Sequence, residues 1–200
     1  MMLNLFIGIP LLCGLAAFLM KDRGARAFAM AVTLLQFGIA LVLVGGPEES
    51  RHIHHSWISE LGLNWALGID GANILLVVLT PLICLLALMA SPRNLANSAG
   101  MGAGILLLDG FLSGLFLSQN LGLFYLFFEA MLLPALMLVA IYARKDGPET
   151  ALRFLMFTLV GSLPMLLGVL ILAFSPEISA SSLDFQDLQD KVPSHRQMYL

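Results

Sequence analysis

The stretch Leu-Gly-Leu-Phe-Tyr-Leu-Phe-Phe-Glu-Ala-Met-Leu-Leu-Pro-Ala-Leu-Met-Leu-Val-Ala-Ile-Tyr, residues 121–142, decides the fold. It is apolar almost throughout and carries one charged side chain, Glu129. A run of this length is what a helix needs to cross a hydrocarbon core about 30 Å thick. Immediately before it stand Gln119 and Asn120, and before them a second apolar run over 101–118. A connection that short makes the two helices antiparallel neighbours. Further apolar runs lie at 3–20, 27–45, 72–90 and 151–174. The chain therefore reads as an all-α integral membrane protein of about six transmembrane helices within residues 1–175, with polar loops over 46–71 and 176–200.

Composition agrees with this reading. Hydrophobic residues make up 59% and charged residues 12% of the 200, and the mean hydropathy is +0.91. A soluble surface cannot be built from that mixture. The net charge of -3, with no basic block, excludes nucleic acid as an evident partner. Cys13 and Cys84 both fall in apolar runs, where a buried thiol is expected rather than a disulfide or a metal ligand. No basic residue precedes the run from Leu3 to Met20, so it reads as the first span and not a cleaved signal.

Orientation follows from the basic residues. Lys21, Arg23, Arg26, Arg93, Arg144, Lys145 and Arg153 fall on one side of the spans, and Arg51, Lys191 and Arg196 on the other. The richer side is cytoplasmic by the positive-inside rule, which predicts an outside N-terminus. On the outer side the segment Arg-His-Ile-His-His at 51–55 reads as a solvated polar stretch, since no Cys accompanies it. The segment from Trp57 to Asp70 is expected at the headgroup level, where indole rings such as those of Trp57 and Trp65 are favoured. The tail holding Asp184, Asp187 and Asp190 reads as an outer loop, and its apolar close at Met198, Tyr199 and Leu200 is expected to lead into a seventh span.

Of the 13 acids, only Asp109 and Glu129 fall within spans. An acidic side chain at a helix centre costs about 2.5–3.5 kcal/mol on insertion scales, so an intramembrane carboxyl is read as functional. Counted from the turn at Gln119 and Asn120, Asp109 and Glu129 stand at similar depths, roughly 16 and 14 Å, but their rotation about the helix axes is left open. Withdrawal from water disfavours the charged form of a carboxyl, so such a group can load a proton, and an approaching cation can unload it. The alternative is a carboxyl that stays protonated and only bonds a neighbouring helix.

Several residues are candidates for support. Pro81, Pro134 and Pro164 lie inside spans, and Pro134 removes the donor that would satisfy the carbonyl of Ala130, one turn from Glu129. Gly161 and Ser162, with Thr158 one turn earlier, offer a small surface for close helix packing or a hydroxyl for water. Arg153 at the start of the same span is explained by snorkelling, and a role near proton uptake stays open.

The stretch Leu123–Pro134, with Gly68-Ile-Asp-Gly71, Leu108-Asp-Gly110 and Leu152–Ser162 in the same order, resembles the M-type (chain 4) antiporter-like subunits of respiratory complex I, the proton-pumping NADH:quinone oxidoreductase. The resemblance implies the first half of a fourteen-helix antiporter-like fold, built from two inverted repeats. It implies that Glu129 is the working glutamate of the fifth helix, that Asp109 fills an acidic position often held by Glu, and that Arg153 lies near a basic one. Asn120 stands where an acid is common, which weakens a proton-uptake role for that turn. The lysine expected to pair with Glu129 would lie beyond Leu200, so the reading of Glu129 as a proton carrier applies to a longer protein.

The function implied is a proton-translocating subunit that couples electron transport to proton transfer, in the inner (plasma) membrane of a bacterium or the mitochondrial inner membrane. It implies no cofactor in this chain, with NADH, FMN, iron–sulfur clusters and quinone held by partner subunits, and other membrane subunits, lipid and protons as partners. The sequence has no Gly-rich nucleotide loop and no cysteine cluster. A subunit of a cation/proton antiporter or membrane-bound hydrogenase, or a non-transporting scaffold, remains an alternative.

Overall fold

The computed structural model of the protein describes residues 2–20, 22–47, 51–58, 62–92, 98–143, 146–174 and 183–191. Its helices are α1 (Met2–Phe18), α2 (Asp22–Gly45), α3 (Ile74–Ala90), α4 (Ser98–Leu117), α5 (Leu121–Tyr142), α6 (Gly147–Phe174) and a short α7 (Phe185–Lys191). Between α2 and α3 run two strands, β1 (His52–Ile58) and β2 (Leu63–Gly68). Four helices, α2, α4, α5 and α6, are long and apolar enough to cross a membrane. The apolar α1 and α3 are 17 residues each, at the short end of what a span requires. Lys21, Arg93, Arg144, Lys145 and Arg196, which carry much of the orientation argument, lie outside the described residues.

The bundle is organised around α4, whose small residues let its neighbours approach. A Cβ on Gly102 would meet Ala25 and Ala29 of α2 at 3.2 Å, one on Gly110 would meet Leu11 of α1, and ones on Gly104 and Gly114 would meet Leu138 and Phe127 of α5. Small residues are how helices pack closely where lipid offers no hydrophobic drive between them. The pairs Gly14 with Leu107 and Leu11 with Gly110 run α1 antiparallel to α4. By contrast α2 runs parallel to α4: both starts meet at Gly102, and near both ends Ala40 and Leu43 share a cluster with Leu115 and Leu117. The outer faces of the bundle remain apolar, as at Phe157, Val160 and Ile171 of α6.

The loop that reads as a solvated and interfacial segment folds as a hairpin. β1 and β2 pair antiparallel, with a bulge between Ser56 and Ile58. His52 faces Asp70 at 3.8 Å and His54 contacts Asp184 at 2.9 Å, while Trp65 donates to Asn4 of α1. Pairing continues beyond the hairpin, because the Gln119 amide donates to Ala66 and Leu67 bridges Ser118.

Asn120 and Asp184 lock this end. The Asn120 side chain caps α5 by accepting from the Gly122 and Leu123 amides, and its Nδ2 donates to Asp184 Oδ1 at 2.7 Å and to the Gly62 carbonyl. Asp184 also accepts from Asn64. An amide can give and accept here at once, which a carboxylate cannot. Asn120→Asp is expected to set two carboxylates against each other and destabilise the fold by about 2 kcal/mol. The thermal midpoint in detergent would report this, and adding Asp184→Asn should restore part of the loss.

Candidate functional site

Asp109 and Glu129 lie on adjacent helices but do not face each other. At about 100° per residue, Gly104 and Gly114, which touch α5, are each about 140° around α4 from Asp109. On α5, Phe127 and Leu138, which touch α4, are about 160° and 180° from Glu129. The α4–α5 contact therefore stands between the two carboxyls. The helices reverse between Leu117 and Leu121, which keeps the two carboxyls at similar distances from the turn while the contact face separates them.

Glu129 belongs to the seam between α5 and α6. Its Oε1 is buried and has no hydrogen-bond partner among the described residues. One turn earlier, the Tyr125 hydroxyl lies close enough to interact with both the Glu129 carboxyl and the Ser162 hydroxyl of α6. The antiparallel pairing of Tyr125 with Ser162, and of Ala140 with Gly147 at the other end, places Thr158 level with Glu129. Glu129, Tyr125, Thr158 and Ser162 thus form one polar strip across two helices. Tyr125 is the member that sequence reading missed; its spacing of four from Glu129 was the available signal.

The other candidates are placed differently. Ser162 is buried and donates to Leu159, and Thr158 donates to Phe154, so both hydroxyls keep acceptor capacity toward the seam. Gly161 is not part of the packed surface, since nothing lies within 4 Å of where its Cβ would stand. Pro134 is buried about 140° around α5 from Glu129, and α5 stays helical through it, so the carbonyl it frees at Ala130 lies off the seam. Arg153 is brought to Glu149, 3.4 Å away and one turn before it, with a side chain 74% exposed, and not to Glu129.

Asp109 is fully buried, and neither carboxyl oxygen has a partner among the described residues. Cys84 of α3 is close enough to interact with it electrostatically. No group of three or more His, Cys, Asp or Glu side chains suited to a metal ion occurs among the described residues.

Comparisons with known proteins give a consistent picture. Residues 118–199 match the family model described as NADH:quinone oxidoreductase/Mrp antiporter, transmembrane. The chain is 32% identical over 183 residues to NAD(P)H-quinone oxidoreductase chain 4 1 of Synechococcus sp. (strain JA-3-3Ab), covering 88% of this chain and 35% of that one. It is 31% identical over 153 residues to NADH-quinone oxidoreductase subunit M of Rhodobacter capsulatus, covering 74% and 30%. The chain thus spans about a third of the length of the curated relatives it matches. Its fold superposes on a chain of respiratory complex I from Thermus thermophilus with bound NADH, with a TM-score of 0.79 and 29% identity over 95% of this chain and 39% of that one. It also shares the fold of a chain of the Mrp complex from Dietzia sp. DQ12-45-1b, with a TM-score of 0.69 at 22% identity over 90% and 20%.

Proposed function

The chain belongs to the NADH:quinone oxidoreductase/Mrp antiporter transmembrane family, and from that premise we propose that it is the N-terminal part of a proton-translocating membrane subunit of a complex I-type oxidoreductase, in which Glu129 takes up and releases the proton. It is a multi-pass membrane protein. The observation that carries the proposal is the α5–α6 seam, where a buried carboxyl oxygen has no partner among the described residues while Tyr125, Thr158 and Ser162 line the same strip. A carboxyl with one oxygen open can exchange its proton with water or an approaching cation, and hydroxyl groups on either side can relay it. The strip belongs to two helices only, so the cation that discharges Glu129 would come from elsewhere in the longer protein.

Electron transfer belongs to partners in this reading. NADH, FMN, iron–sulfur clusters and quinone would be held by other subunits, and the apolar faces of α1, α2 and α6 would meet lipid or neighbouring membrane subunits. The family also covers antiporter subunits, which gives a second reading as part of a cation/proton antiporter. Proton movement driven by NADH oxidation in vesicles carrying the full-length protein within its assembled complex separates the two, because an antiporter subunit would instead respond to an imposed sodium gradient.

Tyr125→Phe provides a finer test. It keeps the ring in place and removes only the hydroxyl between Glu129 and Ser162. Proton translocation should slow about two- to tenfold, the worth of one hydrogen bond, with normal assembly. An unchanged rate would take Tyr125 out of the pathway.

A further inference from the structure

On the far side of α4 a second group of unpartnered oxygens comes together, and nothing in the Glu129 seam uses it. Asp109 Oδ1 and Oδ2, Ser113 Oγ and Gln36 Oε1 are buried without a hydrogen-bond partner among the described residues, on side chains that are all 0% exposed. Helix geometry brings them to one place. Gly102 touches both Ala25 and Ala29 of the parallel helix α2. Asp109 and Ser113 follow Gly102 by seven and eleven residues, and Gln36 follows Ala29 and Ala25 by the same seven and eleven. Seven and eleven residues are about two and three full turns, so all three side chains return to the face where α2 and α4 touch, with Gln36 between the levels of Asp109 and Ser113.

The hydrogen bonding around them shows that the oxygens are held open. Gln36 Nε2 donates to the carbonyl of Phe6, which fixes the amide so that Oε1 points away from it. Thr33, Thr80, Ser118 and Thr158 all donate to the carbonyl four residues earlier, the usual outlet for a helical hydroxyl, and Ser113 does not. Four buried oxygens are thus left with no donor among the described residues, and burying such groups empty is costly.

We infer that Gln36, Asp109 and Ser113 form a binding site between α2 and α4 for one small monovalent cation held by oxygen, either a proton carried on Asp109 with a water or Na+ in its place. A carboxyl, an amide oxygen and a hydroxyl suit such a guest, which supplies the positive charge or the donors that the protein withholds. Entry of Na+ releases one proton from Asp109, so the charge in the bundle is unchanged. Among the described residues, the titratable groups packed around the site are Cys84 of α3 and Cys13 of α1. Arg26 of α2 is turned to the Leu88 and Met89 carbonyls, and Tyr125 and Glu129 of α5 face away from α4.

Infrared difference spectroscopy of the full-length protein in vesicles tests this, with Asp109→Asn identifying the carboxylic C=O band of Asp109. Loss of the band on adding Na+ at constant mildly acidic pH assigns the guest as Na+. Loss only when the pH is raised assigns it as the proton. In either case Gln36→Leu and Ser113→Ala must each shift the band, because each removes a partner of the carboxyl or its guest. A band that responds to neither pH nor Na+, or that either substitution leaves in place, overturns the site. Repeating the measurement in Glu129→Gln separates this site from the seam, since the Asp109 band should persist there whether or not Glu129 carries protons.

Discussion

Glu129→Gln in the full-length protein is expected to lower NADH-driven proton translocation by about a hundredfold, the scale on which a positioned proton-transfer group acts. Glutamine keeps the length of the side chain and its place on α5, beside Tyr125 and opposite Thr158 and Ser162, so the seam should still pack. What it removes is the ability to hold and release a proton. The buried Oε1, which has no partner among the described residues, makes the substitution informative, because no hydrogen bond to that oxygen is broken. The checks are the amount of assembled complex, which should match wild type, and proton uptake by vesicles oxidising NADH. Unchanged pumping with full assembly would reduce Glu129 to a carboxyl that stays protonated and serves only as scaffold.

The second large effect is structural. Gly147→Val should destabilise the helical region by about 3 kcal/mol or more, because a Cβ there would stand 2.3 Å from the Ala140 carbonyl oxygen. The obstacle is backbone, so no rotamer change relieves it, and α6 must move away from the end of α5. Asp146, with its φ of 50°, already bends the chain tightly at this point. Opening that elbow would also carry Ser162 away from Tyr125 and so weaken proton transfer. Thermal unfolding in detergent measures the first effect and proton uptake the second. Gly161→Ala is the control. Its side of α6 is open, and replacing glycine by alanine within a helix favours folding by roughly 1 kcal/mol. If both substitutions gave the same loss, close approach at Gly147 would not be the cause.

These expectations draw on different levels of the molecule. Six apolar helices, the tight α4–α5 connection and the isolation of Asp109 and Glu129 from the other acids were all legible in the chain, because hydrocarbon tolerates so few charges that each one stands out. The family was legible in the residues around Glu129. Less visible was the hairpin, since the run through His52–Ile58 and Leu63–Gly68 is short and mixes polar with aromatic side chains, and only β2 is largely buried while β1 stays exposed. Its partner contacts come from Asn4, Gln119 and Asp184, separated by many residues in the sequence.

For the carboxyls themselves, residue counting determined that both lie deep within the bundle. Only the tertiary structure decided that they lie on different faces: Glu129 at the α5–α6 seam near Tyr125 and Ser162, and Asp109 on the α4 face that meets α2. A sequence of uniformly apolar helices has no preferred lipid side, so rotation about each axis is set by where small residues allow neighbours to approach. In this protein Gly102, Gly104, Gly110 and Gly114 make that choice for α4, and with it they turn the two acids apart.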